Sequence, residues 1–499
     1  MRETVDALVR LRAAEDSAKP MVIDPSTRIT YSELESSSRQ LAAAFVAAGV
    51  GKGTRVGLIM PNCAEWVRNA VALTRIGAVL VPLSTLLQAP ELVAQLRMAS
   101  VQFLVTVEEF RGHRYLDDLS AERGNLPALR EVWRAGRLPA GGSAPVDEIA
   151  AAVTPSDTLA IMFTSGSSGP PKGVIHSHGN ALGAVRAGLT ARCIDADTRL
   201  YLPMPFFWVG GFGSGILSAL LAGATLVTEE IPRPETTLRL VERERVTLFR
   251  GWPDQAEALA RQSASVGADL SSLRPGSLPA LLPPEQRGEP GARANLFGMT
   301  ESFGPHCGYP ADTDMPRSAW GSCGKPFDGM EIRIVDPDTG EPVPGGSIGM
   351  IQIRGPHLMR GICRRSREEV FTPDGYYPTG DLGHLDDDGF LFYHGRCDDM
   401  FKVSGATVYP SEVEQALRSV DGVQQAFVTD VDGAVGAVVI SGRPVDELRA
   451  EARKRLSAFK VPTVWHVTDS DDAIPRKATG KVDVRALRAL LDELGETRS

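Results

Sequence analysis

The sequence predicts an α/β chain: a large N-terminal domain of parallel-type α/β sheets with a small antiparallel β unit, followed by a small C-terminal α+β domain. Three changes of texture carry that prediction. Strand-length apolar runs alternate with helical apolar spacing through the first third, the apolar period shortens to two after Met330, and a mixed series of helices and strands begins after Arg396.

Taken in order, residues 1–13 alternate charged and apolar positions and lack the apolar core of a signal peptide, so an amphipathic helix is expected. Residues 55–60 (RVGLIM) read as a buried strand, 62–75 as a helix with Trp66, Val67, Val71 and Ala72 on its apolar face, and 78–82 (AVLVP) as the next strand. Segments 102–107 and 158–163 continue the rhythm, and the second runs straight into a Gly/Ser loop. Residues 264–293 are rich in Pro and Gly and are expected to be mostly surface loop. Beyond Met330, EIRIVD, IGMIQIRG and FLFYHG are separated by turns such as Asp338-Thr339-Gly340 and Asp388-Gly389, as in antiparallel hairpins. After Arg396 come helical spacing at Val408, Val413 and Leu417, the strands QQAFVTDV and AVGAVVIS, a charged helix over 445–457 and a last helix after Asp483.

The 499 residues are 43% hydrophobic and 23% charged, with a net charge of −9. A basic surface that blankets nucleic acid or anionic lipid is excluded, so any polyanionic ligand must be held by a local site. Six cysteines (Cys63, Cys193, Cys307, Cys323, Cys363 and Cys397) have no C-x-x-C spacing and read as reduced thiols of a cytoplasmic protein. Residues 200–228 contain no Asp, Glu, Lys, Arg or His, a run longer than the ~20 residues of a membrane span. Pro203, Pro205 and the glycines at 210, 211, 213, 215 and 223 interrupt any such helix, so a membrane span is not expected. The histidines form no H-E-x-x-H pair, and Asp386-Asp387-Asp388-Gly389 reads as a turn without EF-hand spacing.

Chemistry begins at Thr164-Ser165-Gly166-Ser167-Ser168-Gly169-Pro170-Pro171-Lys172-Gly173. Glycines let backbone N–H groups turn toward an anion, hydroxyls add donors and Lys172 adds a point charge: a phosphate cradle, though not a Walker A loop. Four motifs follow it in order: Phe297-Gly298-Met299-Thr300-Glu301, Tyr377-Pro378-Thr379-Gly380-Asp381, Gly395-Arg396-Cys397-Asp398-Asp399, and Pro475-Arg476-Lys477-Ala478-Thr479-Gly480-Lys481.

Together these motifs, from Tyr31-Ser32-Glu33-Leu34 to Lys481, resemble the adenylate-forming superfamily of acyl-CoA synthetases, luciferases and peptide-synthetase adenylation domains, and acyl-CoA synthetases above all. The resemblance implies that a hydrophobic carboxylic acid attacks the α-phosphorus of Mg·ATP to give acyl-AMP and pyrophosphate, and that CoA then takes the acyl group. It implies that Thr164, Ser165, Gly166, Ser167, Ser168, Gly169 and Lys172 hold the β and γ phosphates, that Phe297 lies against adenine with Gly298 also binding the nucleotide, and that Thr300 bonds the α-phosphate region. Glu301 is the expected Mg²⁺ ligand. Asp381 is expected on the ribose hydroxyls with Arg396 beside it, and Lys481 bridges carboxylate and α-phosphate in the first step only. A hinge near Asp398 would divide the chain into 1–395 and a mobile 396–499, and would bring in Lys402 with Ser404, Gly405 and Ala406 lining the pantetheine tunnel. Phe206, Phe207, Trp208, Gly210, Gly211 and Met299 are the implied acyl-pocket residues. Arg449, Arg453, Lys454, Arg455 and Lys460 are either groups that meet the phosphates of CoA or the solvent face of a helix.

The sequence also departs from the family. Trp208 stands where a histidine is usual, residues 276–281 (GSLPAL) replace a turn that contacts adenine, and Thr407 replaces a basic residue or Gln. Three further readings stand beside the complete ligase, the first of them suggested by these departures. The enzyme could mainly thioesterify an acyl-AMP supplied by a partner, could load a carrier protein, or could be a degenerate binding protein. Residue type and spacing alone leave the identity of the acid open.

Overall fold

A computed structural model describes residues 3–137, 144–164, 172–397, 401–403, 406–456, 458–476 and 482–496. The chain falls into two compact units, one formed by Met1–Glu331 with Arg354–Tyr377 and the other by Ile332–Ile353 with Pro378–Ser499.

The first unit is built on two sheets with helices between strands. Its seven-stranded sheet runs in the order Gly361–Ile362, Lys172–Ser177, Thr158–Thr164, Val79–Pro82, Arg55–Ile59, Phe103–Thr106, Glu131–Arg134. The five strands from Thr158–Thr164 to Glu131–Arg134 are parallel to one another. Parallel strands covered on both faces need continuous apolar runs, which is why RVGLIM and AVLVP stand out in sequence. Gly57 interrupts the first run because a Cβ there would lie 2.6 Å from Leu104 Cδ1 in the neighbouring strand. At the other edge Lys172–Ser177 returns antiparallel to Thr158–Thr164. The Gly/Ser loop therefore joins two antiparallel strands.

The second sheet, in the order Leu248–Phe249, Arg199–Tyr201, Thr225–Val227, Pro20–Ile23, Arg28–Thr30, contains the uncharged run. That run folds as the end of one strand, a helix made of Val209–Gly211, Phe212–Leu217 and Ser218–Ala222 with a π-helical middle, a left-handed Gly223, and the next strand. It carries no charge because it is core: Phe206, Phe212, Ile216, Leu217 and Leu220 all lie in the largest buried cluster. Among the described residues no helix is long and apolar enough to cross a membrane. Tyr31 of the Tyr-Ser-Glu-Leu motif opens the Tyr31–Ala47 helix, capped by a reciprocal Thr30–Glu33 pair, and its buried hydroxyl sits 2.8 and 2.7 Å from the carbonyl oxygens of Ala219 and Ala224.

Residues 264–293 are mostly irregular and surface-lying, as expected, apart from a few buried positions. After the Pro253–Val266 helix the backbone is irregular, but Leu273, Leu281 and Leu282 are buried in a cluster with Tyr201, Leu238 and Phe249. The segment runs along the sheet's edge, where Leu278 N–H donates to Phe249 O and Phe249 N–H to Ser277 Oγ, both at 3.1 Å. It is an edge cover, which blunts an otherwise open strand.

The second unit holds a four-stranded sheet (Glu331–Val335, Gly349–Arg354, Tyr377–Leu385, Leu391–Arg396) and the hairpin of Phe401–Val403 with Ala406–Val408. It also holds a three-stranded sheet in the order Val423–Val431, Ala434–Ser441, Val464–Thr468, accompanied by helices Pro410–Arg418, Val445–Arg455 and Val484–Glu496. The central strand pairs antiparallel with Val423–Val431 and parallel with Val464–Thr468. Two strands of this unit escape sequence reading. Tyr377–Leu385 carries Pro378, Gly380, Asp381 and Gly383, and Val464–Thr468 (VWHVT) is short and follows a proline-containing stretch.

Within the first unit a buried charge network ties its first three helices together. Arg75, 0% exposed at the end of Ala64–Arg75, donates to Asp6 Oδ1 through Nε (3.0 Å) and Nη2 (2.7 Å), and to Glu35 O and Ser38 Oγ through Nη1, both at 2.9 Å. Removing one member of a buried pair leaves the other uncompensated, so Arg75→Ala is expected to lower stability by about 3–5 kcal/mol. Urea denaturation checks this. The double variant Arg75→Met with Asp6→Leu should recover a large part of the loss.

Candidate active site

The Phe297–Met299 strand lies against Gly304–Gly308 so closely that a Cβ on Gly298 would sit 2.1 Å from Gly304 O. Between the two strands Thr300–Ser302 makes a single tight turn, closed by Phe303 N–H donating to Thr300 O at 2.9 Å. Phe303 takes a left-handed φ of 55°, uncommon for an aromatic residue. Its buried ring is the compensation: it packs edge-on against His176 (4.7 Å) and Phe212 (6.1 Å). Ser302 Oγ is the polar centre of the turn, accepting from Met299 N–H at 3.2 Å and lying 2.8 Å from Gly304 O and 3.0 Å from His306 Nδ1. His306 in turn meets the Phe297 ring edge-on at 5.2 Å. One hairpin thus sets the positions of Phe297, Gly298, Met299, Thr300 and Glu301.

Glu301 is 8% exposed, and the Tyr377 hydroxyl donates to its Oε1 at 2.9 Å. Its backbone carbonyl accepts from Met359 N–H at 2.8 Å. Thr164 and Lys172 face each other as the last paired residues of their strands, so the chain leaves and re-enters the sheet at the two ends of the expected phosphate loop. Ser165, Gly166, Ser167, Ser168 and Gly169 lie outside the described residues.

In the expected acyl segment, Asn62 fixes the backbone. Its Oδ1 accepts from Phe206 N–H at 2.8 Å and its Nδ2 donates to Met204 O at 2.9 Å. Phe206 is fully buried against Trp66, with ring centroids 5.4 Å apart. Phe207 meets Trp208 edge-on at 5.6 Å, and half-buried Trp208 meets Trp252 edge-on at 6.4 Å. Gly211 has no room for a side chain, since a Cβ would lie 2.1 Å from Pro205 O; at Gly210 a Cβ would meet Met204 Sδ at 2.8 Å.

In the second unit Asp381 is 5% exposed and is the register partner of Arg396. Arg396 Nη1 donates to Asp381 Oδ1 at 3.2 Å and to Thr379 O at 2.9 Å. Thr379 Oγ1 accepts from Asp381 N–H at 2.9 Å and donates to Ile351 O at 2.8 Å. Gly380, at φ 72°, keeps the space that Arg396 crosses: a Cβ there would lie 2.8 Å from Nη2. Lys402 belongs to the Phe401–Val403 strand and Ala406 to its partner, with their side chains outside the described set. Asp398, Ser404, Gly405 and Lys481 also lie outside it. On the Val445–Arg455 helix, Arg449 pairs with Asp446, and Lys454 and Arg455 both pair with Glu451; Lys460 pairs with Glu412.

Sequence reasoning does not single out Asn62, Ser302, His306 or Tyr377. Tyr377 alone carries a signal, a phenol inside a motif whose neighbours have polar duties. Burial pushes His176 down to about 3 and His178 and His306 each down to about 4, so all three are neutral near pH 7. Among the described residues no group of three or more His, Cys, Asp or Glu side chains is arranged to hold a metal ion.

A family model described as AMP-binding enzyme matches residues 9–363, and one described as AMP-binding enzyme C-terminal domain matches 412–481. The chain is 34% identical to the 3-[(3aS,4S,7aS)-7a-methyl-1,5-dioxo-octahydro-1H-inden-4-yl]propanoyl:CoA ligase of Mycobacterium tuberculosis, over 94% of this chain and 95% of that protein. It is 33% identical to a feruloyl-CoA synthase of an Amycolatopsis species, over 91% and 92% respectively. In fold it is similar to the anthranilate CoA ligase AuaEII solved with anthranoyl-AMP, with a TM-score of 0.81, 24% identity and coverage of 99% and 98%.

Two outcomes follow from this geometry. Each buried neutral histidine binds its proton more readily when unfolded, so its stabilising contribution is complete above about pH 6.5 and is lost as pH falls toward 4. The unfolding free energy from urea denaturation should therefore decline between pH 7 and 5, by up to about 1.4 kcal/mol per pH unit for each such histidine; a flat profile would contradict the burial. Gly298→Ala forces backbone apart at Gly304 and should destabilise by about 2 kcal/mol or more, read as a lowered midpoint in the same assay.

Proposed function

The chain belongs to the AMP-binding enzyme family and is an ATP-dependent acyl-CoA ligase, and from that premise we propose a hydrophobic, ring-bearing acid as its substrate and the following division of labour. The observation that carries the reading is the 297–301 hairpin, where an aromatic ring, a hydroxyl and a buried carboxylate are held on one short rigid piece of backbone. Phe297 offers a flat face to adenine. Thr300 supplies a donor where negative charge gathers at the α-phosphate. Lys172, with the 164–169 loop, offsets the charge of the β and γ phosphates, and Lys481 does the same between carboxylate and α-phosphate. Joining an anion to a polyanion needs such fixed donors, because water would have to reorganise to supply them.

Glu301 fits a magnesium ion by the chemistry of its donor: Mg²⁺ is commonly held by one or two carboxylates together with substrate phosphates. Bound there, the ion would neutralise phosphate charge as pyrophosphate departs. Asp381, with two acceptor oxygens, suits the paired ribose hydroxyls, and the Arg396 hydrogen bond orients it. For the second half-reaction we assign Lys402 and the backbone of Ser404, Gly405 and Ala406 to the pantetheine path, with Asp398 as the hinge between 1–395 and 396–499.

The acid is proposed to lie along Phe207, Trp208, Gly210, Gly211 and Met299, where small and aromatic residues make an apolar wall. The ring-bearing acyl groups in the names of the two relatives support that class.

Acid-dependent ATP–pyrophosphate exchange and thioester formation from synthetic acyl-AMP with CoA, measured separately, test the reading. Both activities are expected. Thioester formation without exchange would instead favour acyl-AMP supplied by a partner, transfer to carrier protein but not CoA would favour a loading enzyme, and neither activity across a broad panel of acids would overturn the proposal. Lys481→Ala should lower exchange by several hundredfold, about 3–4 kcal/mol, and spare the conversion of supplied acyl-AMP; equal loss in both would refute its assigned role.

A further inference from the structure

Glu301 is a buried carboxylate, and among the described residues no lysine or arginine stands in ion-pair range of it. Its side-chain partner among those residues is the phenol of Tyr377, whose O–H donates to Oε1 at 2.9 Å. Tyr377 is itself buried and meets the Phe371 ring edge-on at 6.1 Å, so the hydroxyl is carried on a packed ring with few alternative positions. A buried anion without a fixed cation is costly until a counter-charge arrives. A hydrogen bond to one oxygen holds the carboxylate plane and leaves Oε2 to the arriving charge.

We propose that Tyr377 is a positioning residue for Glu301, orienting its carboxylate so that Oε2 takes the divalent cation of Mg·ATP. This rests on the assignment of Glu301 to that cation. Tyr377 touches neither nucleotide nor acid in this role; it acts through Glu301, and the hydroxyl alone carries the effect. Tyr377→Phe removes that one oxygen and keeps the ring.

Binding of a non-hydrolysable ATP analogue, measured by calorimetry with Mg²⁺ and again with EDTA, separates this role from general packing. In Tyr377→Phe the affinity with Mg²⁺ should fall about 10- to 100-fold, while that in EDTA stays within about twofold of wild type. Mn²⁺ titrations of the analogue complex followed by electron paramagnetic resonance should show the same weakening. KM for Mg·ATP should rise with KM for the acid unchanged. Urea midpoints report whether Tyr377→Phe is properly folded. Equal losses with Mg²⁺ and EDTA, or no loss, would overturn the role of Tyr377 and leave the proposed function standing. A wild-type protein that binds no analogue in Mg²⁺ would overturn both.

Discussion

The absence of a side chain at Gly298 is the constraint on which the positions of residues 297–301 depend. With backbone only 2.1 Å from where a Cβ would stand, the two strands of the hairpin approach closely enough for Ser302 to bond both of them. That contact holds the Thr300–Glu301 turn, and the turn drives Phe303 into a left-handed conformation whose cost is offset by ring packing on His176 and Phe212. Through Phe212 the hairpin is continuous with Trp66 and Phe206. The polar hairpin and the apolar segment after Pro205 are therefore parts of one packed core.

The second unit solves a similar problem with different residues. At Asp381 a hydroxyl hub, Thr379, takes the place that Ser302 has at Glu301, and Gly380 supplies the clearance that Gly298 supplies in the hairpin. In both cases a carboxylate is held by hydrogen bonds in a nearly buried position, but the partners differ. Asp381 has a guanidinium, whereas Glu301 has a neutral phenol and keeps its need for a cation. That contrast matches the work assigned to each, one toward neutral ribose hydroxyls and one toward a metal ion.

Much of the first unit is legible in sequence because its signals are local. Buried parallel strands leave continuous apolar runs, the Ala64–Arg75 helix leaves a 3.6-residue period, and a Thr30–Glu33 capping box marks a helix start. The strand Tyr377–Leu385 escapes such reading because its sequence is spent on a turn glycine and on polar hubs. In residues 264–293 proline and glycine rightly indicate surface loop, but they do not reveal that Leu273, Leu281 and Leu282 cover a sheet edge. The uncharged run is ambiguous in sequence, since a membrane interior and a protein core both exclude charge.

By itself the sequence determined the order of the motifs, the α/β class, the apolar character of residues 200–228 and the chemical kinds of side chain available in each motif. Those properties depend on residue type and short-range spacing. Only the tertiary structure decided which groups meet: that Tyr377 donates to Glu301 from 76 residues away, that Asn62 holds the backbone of Phe206 across 144, and that Arg75 closes on Asp6 across 69. Such pairs are set by how sheets and helices pack, and no local period records them.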